Sequence, residues 1–193
     1  LSSISMIANI PNMVYLAPSN AEEYIAMLDW ALDQDKHPVY IAIPSGPVVH
    51  AEGSVRTNFD ALNTYEVTRE GSKVAVLALG DFYDLGEKAV EALSSTLGIE
   101  ATLVKPYFAS GIDQNLLDNL VKDHDVIVTI EDGIIEGGWG QNIASYLGTS
   151  SARVLNYGVK KAFYDRVNIA DLMRESHLEP ELIAADVKQV LDL

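Results

Sequence analysis

Short apolar runs that do not alternate with polar residues set the tightest limit on the fold. Val74-Ala75-Val76-Leu77-Ala78-Leu79 has no polar member, and Val126-Ile127-Val128-Thr129-Ile130 has one. A strand with one wet face reads apolar, polar, apolar; runs like these suit strands covered on both faces, as in a parallel sheet between helical layers. Ala101-Thr102-Leu103-Val104 and Arg153-Val154-Leu155-Asn156-Tyr157 supply two further strands. Between them lie stretches with helical spacing. Leu85, Ala89, Ala92 and Leu93 share one face from about Asp84 to Leu97, and Gly98 closes it. Leu116, Leu117, Leu120 and Val121 follow a capping Asp113, and Glu131 through Gly140 reads as a glycine-rich turn into another helix. Asn168 starts a terminal helical stretch carrying Leu182, Ile183, Val187, Val190 and Leu191. Strands alternating with helices predict an α/β, doubly wound, mostly parallel sheet over residues 73–193.

The first 46 residues read strand, helix, strand. Val14-Tyr15-Leu16 ends at Pro18, and Ser19 or Asn20 can cap a helix, because Glu22 or Glu23 follows three residues on. Tyr24, Met27, Leu28, Ala31 and Leu32 line one face of that helix. Val39-Tyr40-Ile41-Ala42-Ile43 is the second strand, stopped by Pro44 and Gly46. Two strands cannot bury both faces of a sheet, so this βαβ unit is expected to lack upstream neighbours. Residues 47–72 have scattered apolar positions among Gly53, Arg56, Asn58, Asp60, Asn63, Arg69 and Gly71. They read as a linker with a small turn or hairpin, and as a domain boundary.

Charge narrows the function classes. The 193 residues carry 28 acids against 13 bases, a formal charge of −15, which repels nucleic-acid phosphates and anionic membranes. No cysteine is present, which removes disulfides, thiolate metal sites and cysteine nucleophiles. No apolar run approaches the roughly 20 residues a membrane span needs. The start, Leu1-Ser2-Ser3-Ile4-Ser5-Met6, has neither an initiator methionine nor a basic signal-peptide region, and is expected to be an internal point of something longer.

Residues able to carry chemistry are few. The carboxyl ends of the strands hold Asp81, Glu131 and Asp132, with Glu136 close behind. Carboxylates there could hold magnesium. Acids at helix N-termini are favourable without any ligand, so capping and a solvated acidic rim is the preferred reading. Gly133-Ile134-Ile135-Glu136-Gly137-Gly138-Trp139-Gly140 could cradle a phosphate at a helix start, yet it lacks the GxGxxG and P-loop spacings and its three nearby acids would repel the anion. Close backbone packing against a neighbouring domain is preferred for Gly137, Gly138 and Gly140. His37, His50, His124 and His177 show no ligand spacing, and His37 and His124 are expected to be exposed in strand-entry turns. Ser45, in Pro44-Ser45-Gly46, is not in a nucleophile elbow.

Several segments nevertheless resemble a known family. Ile10-Pro11-Asn12-Met13 through Pro18 and Glu23 is similar to a stretch of the pyrimidine-binding domain of transketolases and deoxyxylulose phosphate synthases, and Pro38 through Gly46 resembles that domain's last strand. Thr129-Ile130-Glu131-Asp132-Gly133 with Gly137-Gly138-Trp139-Gly140 resembles the signature of the family's C-terminal domain. Leu155-Asn156-Tyr157-Gly158-Val159 and Phe163, with Phe108 and Asp113 in the segment between, fit the same pattern. The resemblance implies an incomplete pyrimidine-binding remnant at 1–46, a linker at 47–72 and a transketolase-like C-terminal domain at 73–193.

For the parent enzyme the resemblance implies thiamine diphosphate and magnesium, two-carbon transfer, the remainder of the enzyme as partner, a homodimer and a cytoplasmic setting. Within this chain it implies no catalytic, cofactor-binding or metal-binding residue, because the magnesium motif and the activating glutamate lie upstream. A stand-alone subunit of a split transketolase and the beta subunit of a 2-oxoacid dehydrogenase are the alternatives. Two departures bear on substrate. Ala42 and Ser45 stand where the synthases usually carry arginines, and Tyr107, Ser110 and Gly111 replace a more typical Arg, Lys, Pro set.

Overall fold

The computed structural model describes residues 2–43 and 46–193; Pro44 and Ser45 lie outside them. A five-stranded sheet runs in the order β3-β5-β4-β6-β7. Its strands are β3 (Glu66–Arg69), β4 (Lys73–Ala78), β5 (Thr102–Lys105), β6 (His124–Ile134) and β7 (Arg153–Val159). β4, β5, β6 and β7 are parallel; β3 pairs antiparallel with β5 at the edge.

The non-alternating runs have a direct cause. Along β4 the side chains sort by twos into two separate cores. Val74, Val76 and Ala78 pack with Leu85, Ala89, Val90 and Leu93 of α3 (Tyr83–Leu97) and with Ile183 and Val187 of α7 (Pro180–Val190). Ala75, Leu77 and Leu79 face the other way, onto Leu117 and Leu120 of α4 (Gln114–Leu120) and Trp139 and Ile143 of α5 (Trp139–Tyr146). Both faces being dry, each valine or leucine contributes roughly 1.5–3 kcal/mol of burial. α3 closes at Gly98, whose φ of +65° suits a residue without Cβ, and its N–H reaches the carbonyls of Leu93 and Ser94. Gly86 lets α3 sit close to β4: a Cβ there would stand 2.4 Å from that of Ala78.

The amino-terminal unit is α1 (Ser3–Ile7), β1 (Val14–Leu16), α2 (Ala21–Asp33) and β2 (Val39–Ile41), with β1 and β2 parallel. Asn20 caps α2 by accepting the Glu23 N–H at 2.8 Å, and Glu23 reaches back to the Ser19 N–H at 2.7 Å. β1 is covered on both faces by this chain itself. Tyr15 and Ala17 join the core under Leu77, and Val14 and Leu16 pack with Met27, Phe59 and Phe108.

Some details depart from the sequence reading. The sheet begins inside the stretch read as a linker: β3 has an almost wholly exposed pattern, so no apolar run marks it. β6 extends to Ile134, which puts Glu131 and Asp132 in the strand instead of a turn. The terminal stretch is two helices, α6 (Ile169–Glu175) and α7, broken where His177 takes a left-handed φ of 55° and Pro180 follows. His124 is buried, not exposed. Its Nδ1 lies 2.8 Å from the Leu120 carbonyl and its Nε2 2.8 Å from the Thr102 hydroxyl, which ties β6 to α4 and β5.

Candidate functional site

In a doubly wound sheet the place to look is where successive connections leave in opposite directions, outside the carboxyl ends of the strands. Here that place lies between β4 and β6, since the chain moves from β4 outward to β5 and then crosses back to β6. Leu79-Gly80-Asp81 leaves one strand, and Glu131-Asp132 lies in the last part of the neighbouring one. Gly80 has φ +62°, and a Cβ there would approach that of Ala17 to 3.1 Å, so the turn sits tight against the amino-terminal unit.

The four acids do not converge on one point. Glu131 is 1% exposed and turned toward the start of α5, where its two oxygens accept the N–H groups of Trp139 at 2.9 Å and Gly140 at 2.8 Å. It caps that helix, as the capping reading has it. Burial pushes its carboxyl up to about 7, against the opposing pull of those two amides. Glu136 is exposed and accepts the Lys161 N–H at 3.0 Å. Asp81 and Asp132 line a small cavity of about 80 Å³ with Ser3, Tyr15 and Tyr40. Burial, and then the Asp132 charge, push the Asp81 carboxyl up to about 6. Among the described residues no group of three or more His, Asp or Glu is placed to hold a metal ion.

The glycines of the β6–α5 turn are explained by Glu131. A Cβ on Gly138 would stand 2.6 Å from the Ile134 carbonyl and 2.7 Å from Glu131 Oε1; one on Gly140 would stand 2.3 Å from the Thr129 hydroxyl. For Gly138 and Gly140 the close packing therefore lies within the domain, around a buried carboxylate, whereas Gly137 faces the amino-terminal unit, where a Cβ would stand 3.6 Å from that of Ser5. Gly137 has φ +75°, and its carbonyl accepts Asn9 Nδ2 from the amino-terminal unit at 3.1 Å. Trp139 continues the network: its indole N–H donates to the Tyr65 hydroxyl at 2.8 Å, and Tyr65 donates to the Gly111 carbonyl at 2.9 Å.

A larger cleft of about 1310 Å³ opens between the starts of α2 and α3, with Glu23, Glu66, Asp81, Glu87, Lys105 and Tyr107 among its walls. Its floor is spoken for. Lys105 Nζ is 2.7 Å from Glu23 Oε1 and lies over the Tyr83 ring at 4.1 Å; Tyr107 donates to Glu66. Arg56 stacks within 5.5 Å of the Phe59, Tyr107 and Phe108 ring centres while its guanidinium donates to the Asn58, Ala61 and Thr64 carbonyls. No sequence pattern announces this cluster, because its members come from five separate segments. The remaining histidines are surface partners of single side chains: His37 with Asn12, His50 with Glu22 and His177 with Asp186.

These walls do not fit a diphosphate. Among the described residues, the Lys105 and Arg56 side chains that line the cleft are already partnered, and the acids around them would repel the anion.

Comparison with known proteins gives the domain a family. Residues 63–183 match the family model described as "Transketolase, C-terminal domain". The 1-deoxy-D-xylulose-5-phosphate synthase of Pseudoalteromonas translucida is 33% identical over 191 residues, covering 98% of this chain and 30% of that protein. The synthase of Clostridium tetani is 28% identical over 195 residues, again covering 30% of its length. Among solved structures, a split-gene transketolase described as an inactive β4 tetramer aligns with TM-score 0.77 at 25% identity, over 98% of this chain and 61% of that one. A Pichia stipitis transketolase mutant in complex with fructose 6-phosphate shares the fold at TM-score 0.72 and 16% identity. The chain belongs to the transketolase C-terminal domain family. It spans about 30% of the length of the curated relatives.

Proposed function

We propose that this chain is the carboxyl-terminal portion of a thiamine-diphosphate-dependent transferase of two-carbon units, similar to 1-deoxy-D-xylulose-5-phosphate synthase, and that it supports an active site completed elsewhere. The observation that carries the reading is the end-to-end match to the synthases, over 98% of this chain but only 30% of theirs. The acid-walled cleft, its lysine already paired, supports the view that thiamine diphosphate and magnesium are held by the remainder of the enzyme. Residues 1–46 then belong to a pyrimidine-binding domain, and the whole enzyme assembles as a homodimer. Calorimetric titration of the chain with thiamine diphosphate and magnesium tests this; no heat of binding in the micromolar range is expected, and micromolar affinity would refute it.

A second reading is favoured by one observation, the alignment over 98% of this chain with a split-gene transketolase. In that reading the chain is a subunit paired with a separately encoded partner. The encoded start of the native protein separates the two: a frame running far upstream of Leu1 supports the fragment, and one starting near it supports the subunit.

A further inference from the structure

Asp81 and Asp132 share one small space at the seam where the amino-terminal unit sits on the five-stranded sheet. Asp81 lies in the turn after β4, and Asp132 in the last part of β6, the neighbouring strand. Both line the cavity of about 80 Å³, and most of its other walls belong to the amino-terminal unit: Ser3 and Ile4 of α1, Tyr15 of β1 and Tyr40 of β2. The packing around it is close. Ser3 Oγ and the Tyr15 hydroxyl share a hydrogen bond of 3.1 Å, the Tyr15 and Tyr40 rings meet edge to face at 4.6 Å, and Ile4 is 5% exposed. Asn9, just after α1, fixes the same seam through the Gly137 carbonyl.

Among the described residues, no lysine, arginine or histidine lines this cavity, and no ion pair engages Asp81 or Asp132. The titratable groups that face Asp81 across it are Asp132, Tyr15 and Tyr40; α1 brings none. Glu131 also comes near α1, since a Cβ on Gly133 would stand 3.3 Å from Ile4 and 3.5 Å from Glu131 Oε2. On its other side Asp81 borders the larger cleft with Tyr83, Asp84 and Glu87 of α3, Glu23 of α2 and Lys105 of β5. There Lys105 is held by Glu23, and Asp84 by Lys88. Two carboxylates in a partly desolvated space without a counter-charge do not both ionise freely. Burial, and then the Asp132 charge, raise Asp81, while the amides of Asp81 and Phe82 pull the other way. Tyr15, pushed up to about 12 chiefly by burial, stays neutral throughout.

We propose that this acid pair makes the seam proton-sensitive: with Asp81 protonated the amino-terminal unit sits closed on the β4–β6 crossing, and loss of that proton loosens α1 and β1 from it. The Asp81 carboxyl is raised from 3.8 to about 6 in the folded chain, so the grip is fully present below about 3.8 and is lost as pH rises through about 6. An opened seam returns Asp81 to water and to its ordinary range. That predicts about a tenfold loosening between pH 5 and pH 8. The surfaces involved all belong to this chain, and the proposal does not depend on the thiamine reading.

Amide hydrogen exchange of the 193-residue chain from pH 5 to pH 8, corrected for the intrinsic exchange rate and read by mass spectrometry, provides the test. Protection of residues 3–17 should fall about tenfold across that range. Asp81→Asn cannot titrate and should remove most of the fall, whereas Glu131→Gln should leave it in place. If Asp81→Asn does not fold, Asp132→Asn takes its place: without the second charge the fall should shrink, and an unchanged fall overturns the proposal. Flat protection in the wild-type chain overturns it as well. So does a fall that persists in Asp81→Asn, or one that Glu131→Gln abolishes, which would assign the slope to Glu131.

Discussion

Replacing Glu131 by glutamine gives the sharpest test of how this domain is built. The carboxyl is 1% exposed and raised from 4.5 to about 7 by burial. A folded-state value above the unfolded one means that the folded chain holds its proton more tightly. This contribution to stability is fully present below about 4.5 and declines as pH rises through about 7. A shift of that size corresponds to about 3 kcal/mol between the two protonation states, of which about 2 to 3 kcal/mol falls between pH 5 and pH 8. Glutamine cannot titrate. It keeps an acceptor for one of the Trp139 and Gly140 amides but turns an NH₂ toward the other, a loss of about 1 to 3 kcal/mol. Glu131→Gln should therefore be less stable than wild type at pH 5, closer to it at pH 8, and show a flatter pH profile throughout. Urea unfolding at half-unit pH steps measures this directly. The Asp81 carboxyl, raised to about 6, adds a slope of the same sign in both proteins and cancels in the comparison. Identical pH slopes for wild type and variant would refute a protonated, buried Glu131.

Three further outcomes follow from the geometry. Gly140→Ala puts a Cβ 2.3 Å from the Thr129 hydroxyl and should cost about 1–3 kcal/mol by overpacking, read from the urea midpoint; an unchanged midpoint means the turn relaxes freely. Arg56→Lys removes the fork that donates to the Asn58, Ala61 and Thr64 carbonyls, and should lower stability by about 1–3 kcal/mol and open residues 54–66 to proteolysis, whereas wild-type resistance would deny Arg56 that role. A chain cut to residues 63–193 should stay monodisperse, while one cut to 73–193 should aggregate, because losing β3 bares the edge of β5; equal behaviour in light scattering would contradict this.

What could be read in advance follows from where the signal is stored. β4 and β6 are buried on both faces, so their unbroken apolar runs are visible residue by residue, as are the caps at Asp113 and Asn168 and the stop at Gly98. β3 is illegible because an edge strand with exposed side chains has no hydrophobic pattern; only its backbone pairing with Leu103, Val104 and Lys105 makes it a strand. The burial of His124 is hidden in the sequence for a related reason. Its neighbours in sequence are polar Asp123 and Asp125, yet the residues that bury it, Leu120 and Thr102, come from α4 and β5.

The carboxylates show why a good location does not make an active site. The β4–β6 crossing is where a sheet of this topology offers its ligand site, and this chain places acids there. Two of them are then committed to the fold. Glu131 spends both oxygens on the amides that begin α5, with Gly138 and Gly140 cleared of side chains to let it in. Glu136 holds the start of the 160–169 segment through the Lys161 amide. Asp81 and Asp132 share a cavity of about 80 Å³ with two tyrosines, closed over by α1 and β1 of the amino-terminal unit. A group that fixes a helix start or a seam cannot also exchange protons with a substrate without loosening what it holds. At this crossing the hydrogen bonds of Glu131 and Glu136 thus hold α5 and the segment after β7 in place.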